Sequence, residues 1–353
     1  SDKMKYLGLK TKIVSIMFII VLDTGLVYSQ NTNTNTITKR GTTAAQFLKI
    51  GVDARATAMG NAFTAMNGDL SNIYWNPAGL AYIDGIQAMF VNSPWIAETN
   101  FNYLAFAFNS PGIGTLGFSL TSLTVPEDIV RTVEEPEGTG ERFEAGDLAV
   151  TLSYSRRLTD KFSLGGNLKF VQQKIWHSKA QAIAADLGAL FVTPFRDIRI
   201  GASLSNFGNS LKMDGRDMII SVDPDKQNEG NVEFVNALYQ PDQFPLPLIF
   251  RVGIAGELLE NEKTRLSFGL DALHPNDNTE SVNAGLEFAY AETFFLRSGY
   301  ATLFRDATEE GLTLGGGIYY RLGKSNTKLK LDYSYTDFGR FDFIQRLTIG
   351  LRL

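Results

Sequence analysis

The chain of 353 residues has no cysteine, so disulfides and cysteine-ligated metal are excluded and cysteine usage leaves the redox compartment open. Its two histidines, His177 and His274, give catalysis little to work with. Charged residues are 20%, below the usual quarter, and the net charge of −5 is too mild for a nucleic-acid partner. The apolar run Ile13 to Leu22 covers ten residues, too few to cross a bilayer as a helix. Mean hydropathy of −0.06 likewise argues against a helical membrane protein. What is plentiful is glycine, with 33 residues, and aromatic side chains, at 12%.

The N-terminus reads as an export signal. Met4 is the expected start, with Ser1 to Lys3 as an upstream extension. Lys5, Lys10 and Lys12 precede the apolar run, and Val27-Tyr28-Ser29 offers a small-residue cleavage site. Residues 1–29 are therefore expected to be a signal peptide. Residues 30–41, which include the low-complexity Asn31 to Thr36, form a flexible leader.

Residues 42–84 differ from the rest. Thr42 or Thr43 is placed to cap a short helix through Phe47 and Leu48. Asp53 is placed to cap a second, alanine-rich one that contains Arg55 and Gly60. Trp75-Asn76-Pro77-Ala78-Gly79 then forces a turn, because the residue before proline avoids helix. From residue 85 to 353 the pattern has period two. Leu164, Gly166 and Leu168 share one face, for example, while Ser163, Gly165 and Asn167 share the other. About fourteen such stretches recur, and their connections alternate between short and long. Both features mark a transmembrane antiparallel β-barrel. The fold class is all-β, with residues 42–84 as a small helical or irregular hatch in the lumen.

Arg157, Arg199, Arg251, Arg297, Arg321, Asp186, Asp271 and Glu287 fall on the polar face of their strands. Facing lipid, such charges cost roughly 2–4 kcal/mol for each Arg or Lys. They are expected to line the lumen as salt bridges that hold the hatch. A selective ion pathway is the sharper alternative. The connection from Phe207 to Pro245 is the longest and carries Met218, Ile219, Ile220, Phe234, Tyr239 and Phe244. It is expected to form two short strands that either lie over the barrel mouth or present a docking surface. Asp223, Asp225 and Glu229 in it read as a solvated acidic stretch rather than a calcium site. Gly112-Ile113-Gly114-Thr115-Leu116-Gly117 spells GxGxxG but runs into an alternating strand, against nucleotide binding. Ser178 adjoins His177, yet neighbours on a strand point to opposite faces, which leaves little ground for an enzyme. No cofactor is expected.

A resemblance is carried by Phe47-Leu48-Lys49-Ile50-Gly51, Asp53-Ala54-Arg55-Ala56, Ala58-Met59-Gly60-Asn61-Ala62 and Tyr74-Trp75-Asn76-Pro77-Ala78-Gly79-Leu80. These blocks resemble the opening of the PorV/PorQ family of FadL-like outer-membrane barrels. Phe244-Pro245-Leu246-Pro247-Leu248, with Arg251 and Gly253, is similar to a later segment of that family. The large insertion before Phe244 and the final Leu353 depart from it. The resemblance implies a hatch-bearing barrel of the bacterial outer membrane, in contact with its lipids. It also implies a role in type IX secretion through secretion-system components or secreted cargo bound at outer loops. The alternative it leaves open is a channel for a hydrophobic ligand. A lipid-modifying enzyme is the third possibility.

Overall fold

The computed structural model describes residues 39–224, 234–305, 308–323 and 327–353. The expected signal peptide and nearly all of the leader lie outside these residues, as do Asp225 and Glu229.

Fourteen strands close into an antiparallel barrel. They are β1 (Ile86–Pro94), β2 (Asn100–Ser110), β3 (Gly114–Thr124), β4 (Ala145–Thr159), β5 (Phe162–Ile175), β6 (Ser178–Val192) and β7 (Arg199–Gly208). After the long connection come β8 (Ile249–Glu260), β9 (Thr264–Pro275), β10 (Ser281–Tyr290), β11 (Phe294–Leu303), β12 (Leu312–Arg321), β13 (Lys328–Asp337) and β14 (Phe343–Arg352). Each strand pairs with its neighbours in sequence, and β1 pairs with β14 to close the ring.

The alternation is what drives closure. On β2, Phe101, Tyr103, Ala105 and Ala107 are buried, while Leu104, Phe106 and Phe108 point out. Leu152, Leu168, Leu187, Leu270, Leu296 and Leu347 repeat the outward pattern around the ring. An apolar belt outside and mixed polar side chains inside suit lipid on one face only, and a closed ring leaves no unpaired edge in hydrocarbon. The connections sort by end. Turns such as Ser110 to Gly114 and Thr159 to Phe162 lie at one end, and the long connections that follow β3, β7 and β11 leave from the other. The exception is the tight turn at Trp176 and His177 between β5 and β6, which are 14 and 15 residues long.

Residues 42–84 fill the lumen with less helix than the sequence suggests. Asp53 adopts φ 68° and makes no capping bond; helix α1 is only Ala54–Ala58 and stops before Gly60, at φ 64°. The first expected helix is a single 3-10 turn, Gln46–Lys49, and Thr43 bonds Asp277 instead of capping it. Helix α2 (Asn72–Trp75) and the 3-10 segment Pro77–Tyr82 complete the hatch. The cause lies in the surroundings. Ala54, Ala56, Ala58, Met59, Ala62 and Phe63 are all fully buried, so contacts with the wall override local helix preference.

Candidate functional site

The hatch is seated by glycines on the inner face of the wall. A Cβ on Gly285 of β10 would lie 2.7 Å from both the carbonyl carbon and the Cβ of Met59. On Gly269 of β9 it would lie 2.5 Å from the Ala62 carbonyl oxygen, and on Gly315 of β12 2.5 Å from the Ala58 Cβ. Gly165, Gly188, Gly201 and Gly299 press in the same way on Pro77, Asn76, Thr64 and Gly60. Hatch atoms, backbone or short side chain, therefore press directly on the wall backbone of seven strands, which only residues without a Cβ allow.

The turn at Asn76 is tied across this seam. Its Nδ2 donates to the Thr64 carbonyl at 2.7 Å and to the Ala189 carbonyl of β6 at 3.1 Å. Its Oδ1 accepts from Ala78 N at 3.1 Å, which fixes the start of the Pro77 segment and places Ala78 and Gly79. Gly79 packs on the Asn72 side chain, and the Trp75 indole donates to the Val52 carbonyl at 3.2 Å.

Charge locks the opposite wall. Glu287 is fully buried and accepts from Arg55 (2.7 Å) and Arg297 (2.7 Å). Arg297 also reaches Asp332 at 2.6 Å. Lys330 joins Asp53 and Asp69, both at 3.0 Å. Two hatch carboxylates and one hatch arginine are thereby balanced against wall residues in a largely buried region. Removing one partner of such a set is costly. Asp271 accepts from the backbone N–H groups of Phe63 and Thr64, both at 2.8 Å. Asp186 pairs with Lys169 at 2.8 Å, and Arg199 with Glu257 at 3.0 Å. Arg251 is buried, with Nη1 on Ser205 Oγ at 3.0 Å. Six of the eight expected lumen charges thus sit inside. Arg157 and Arg321 are exposed at strand ends beside the short turns, and Arg157 lies over the Tyr82 ring at the rim.

The long connection forms the expected two strands, Ile219–Val222 paired with Val235–Leu238. Ile219, Ile220, Phe234, Tyr239 and Phe244 are exposed and Met218 is half-buried. A second anchor escaped the sequence reading. His177 Nδ1 lies 3.0 Å from Asp217 Oδ1, and Ser178 Oγ donates to Asp217 Oδ2 at 3.0 Å. His177 Nε2 lies 3.1 Å from Glu141. Despite desolvation working against it, hydrogen bonds from His177 and Ser178 hold the Asp217 carboxyl below its usual range. His177 and Ser178 do not point apart as strand neighbours would, because His177 occupies the turn. They share one carboxylate rather than each other, so the trio clasps the foot of the long loop and is not a nucleophile–base pair. The GxGxxG stretch leads from a turn into β3, with no helix behind it.

At the long-loop end, Asp277 gathers Thr43 (2.6 Å), Gln46 (3.0 Å) and Lys49 (2.8 Å) from the first turn of the hatch. Although burial works against its charge, these donors hold the Asp277 carboxyl below its usual range. The role of Asp277 and of the inner glycines was not evident from sequence. Only the recurrence of one inward glycine per strand could have signalled the latter.

The sequence matches a family model described as type IX secretion system protein PorV over residues 29–218, more than half of the chain. Among proteins with curated descriptions, none matches the chain in sequence. Three solved structures show the fold it shares. The Ralstonia pickettii toluene transporter TbuX is 15% identical, with TM-score 0.52, covering 85% of this chain and 97% of its own. The monoaromatic hydrocarbon channel CymD is 13% identical, with TM-score 0.52, covering 86% and 96%. The Pseudomonas putida toluene transporter TodX is 13% identical, with TM-score 0.52, covering 85% and 97%. The hatch blocks, the closed barrel and the family match agree: this chain is a barrel of the bacterial outer membrane and belongs to the type IX secretion system PorV family.

Proposed function

We propose that this PorV-family barrel serves type IX secretion by docking protein partners, secretion components or cargo, on the hairpin Ile219–Val222/Val235–Leu238. The observation that carries the reading is the exposure of this hairpin. Its eight strand residues include no charge, and Ile219, Ile220, Val235 and Leu238 all face solvent. An isolated two-stranded hairpin is marginal in water, and exposed apolar surface of this kind commonly marks an interface. Phe234 and Tyr239 flank it as aromatic anchors. The same exposure speaks against a lid, which would bury these side chains on the rim. This reading gives the chain no catalytic role.

A second reading, passage of a hydrophobic solute, is favoured by the channels that share the fold. The direct backbone contact between hatch and wall works against it, because that contact leaves the hatch no slack. The test is affinity purification from detergent-solubilised outer membrane, with the intact chain and with residues 214–240 removed. Secretion components or cargo recovered with the intact chain and lost with the shortened one support docking. Equal recovery from both, or lipid and solute alone, overturns it.

A further inference from the structure

The outer face of the wall carries a depression across β4 to β8, behind the hatch turn. In a belt dominated by large apolar side chains, the outward positions here include Gly166, Ala189 and Ala202. The strand register brings the three together: Leu164 pairs with Ala189, Ala189 with Ala202, and Gly166 with Leu187. Leu158, Leu164, Leu187, Leu204 and Phe250 stand around them and leave a groove of about 760 Å³. Its back is sealed towards the lumen. Pro77 of the hatch lies directly behind Gly165 and Gly188, and Asn76 Nδ2 holds the Ala189 carbonyl at 3.1 Å. The groove is therefore open to lipid and is no passage through the wall.

Its length and slope suit one leaflet. Tyr154, Gly166, Leu187, Leu204 and Phe250 are successive cross-strand partners, and the four strand spacings between them span roughly 19 Å. Tyr154 lies five residues from the end of β4 at Thr159, and Phe250 ten from the end of β8 at Glu260. Both ends are at the short-turn rim, so the groove climbs from that rim towards the midplane. One leaflet contributes about 15 Å, half of a hydrocarbon core of about 30 Å. At the low end stands Arg156. It points outward beside Leu164, is exposed, and makes no hydrogen bond or ion pair among the described residues. A lipid-facing cation is costly at depth and tolerated near the interface, where a long side chain lays its stem on the apolar wall and its charge among headgroups. Tyr154 donates its hydroxyl to the Ile113 carbonyl at 2.7 Å, which fixes its ring at the edge of the groove.

A gap beside small side chains loses dispersion contacts unless something fills it, and a guanidinium matches a phosphate by paired hydrogen bonds. We infer that the groove holds one glycerophospholipid of the periplasmic leaflet. Its phosphate sits on Arg156, and one acyl chain lies along Gly166, Ala189 and Ala202 against Leu187, Leu204 and Phe250. The lipid thereby buttresses the stretch of wall that clamps the Asn76–Pro77 turn from outside. The site does not depend on the role of the hairpin.

The test uses the full chain in detergent and native mass spectrometry, under release conditions that strip loosely held lipid. The probes are palmitoyl-oleoyl-phosphatidylglycerol, dihexanoyl-phosphatidylglycerol and palmitoyl-oleoyl-glycerol. The first should be retained as a single copy. The second has the phosphate without a long chain and the third has the chains without the phosphate; each should be held at least about tenfold more weakly. R156Q should weaken retention of the first by about 10–100-fold. A202L, which fills the groove, should weaken it at least about tenfold as well. Both side chains face lipid, so neither change disturbs the packing of the hatch, and an unaltered heat-modifiable shift confirms the fold. R321Q, an exposed arginine at the same end of β12, should retain the lipid as the unaltered chain does. Equal retention of the phospholipid and palmitoyl-oleoyl-glycerol, unchanged retention in R156Q or in A202L, or a pair of barrels without lipid overturns the proposal.

Discussion

Substituting Gly285 by alanine puts the hatch seating under direct test. Gly285 has ordinary strand geometry, so an added methyl brings no backbone strain and its effect is purely spatial. The methyl would stand 2.7 Å from the Met59 carbonyl carbon and Cβ, where ordinary contact begins near 3.4 Å. Neither body yields easily. Gly285 is held in ladders to both β9 and β11, opposite Gly269 and Gly299. Met59 is fixed by Gly60, whose N–H donates to Thr313 Oγ1 at 2.9 Å. The wall is the stiffer of the two, so the hatch must shift by several tenths of an ångström. Overpacking of this kind costs about 1–3 kcal/mol. G285A should unfold a few degrees lower in a heat-modifiable gel shift. Because the chain has no cysteine, a single one placed at buried Thr64 reports hatch movement by maleimide labelling. Labelling should be faster in the G285A background, and planar-bilayer conductance should rise. G316A is the control, since its methyl would meet nothing closer than 3.4 Å. A G285A protein with unchanged melting, labelling and conductance would refute the claim that the hatch presses on this wall.

E287Q leaves Arg55 and Arg297 without their shared counter-charge and should cost about 3–5 kcal/mol in thermal unfolding; a variant as stable as the parent would mean the network holds nothing. N76A strands the Thr64 carbonyl and removes a second donor from the Ala189 carbonyl, which keeps its strand pairing; the cost is about 1–3 kcal/mol for the buried group left unpaired, and the gel-shift midpoint should fall accordingly. The Asp277 carboxyl is lowered in the folded state. Its contribution is therefore full above the unfolded value near 3.8 and lost as pH falls through and below it. Melting followed from pH 7 to pH 3 should show an acid-side loss of stability that is smaller in D277N, and an identical loss in both would remove Asp277 as the tether of the hatch.

The barrel was legible because lipid and lumen impose period two over whole strands, as on Leu148 to Tyr154, and no competing signal overrides it. Strand number and loop sorting followed from the same constraint. Most of the lumen charges were legible too, since Arg297 and Glu287 have nowhere else to face. Arg157 and Arg321 were placed too deep because face parity is constant along a strand while depth is not; both lie at strand ends where water reaches. The hatch was the least legible part. Asp53 looks like a helix cap in sequence, but its partner is Lys330, 277 residues away, and sequence spacing carries no trace of such a contact. The alanines around Gly60 read as helix formers, whereas the small size of Ala62 and Ala58 serves the approach to Gly269 and Gly315. The apolar halves of the long loop were visible at Met218 to Val222 and Phe234 to Tyr239, but not their anchoring through His177 and Asp217, which again links distant segments.

The claim that this barrel works by docking proteins on its exposed hairpin is tested most directly by photo-crosslinking in living cells, with a photoreactive residue replacing Leu238. Leu238 is 66% exposed, so the replacement disturbs no packing. Adducts of higher mass that contain a second protein are expected, and none when the photoreactive residue stands at Leu296, which is equally exposed but on the lipid face. An intact, heat-modifiable barrel that yields no protein adduct from Leu238 would contradict it.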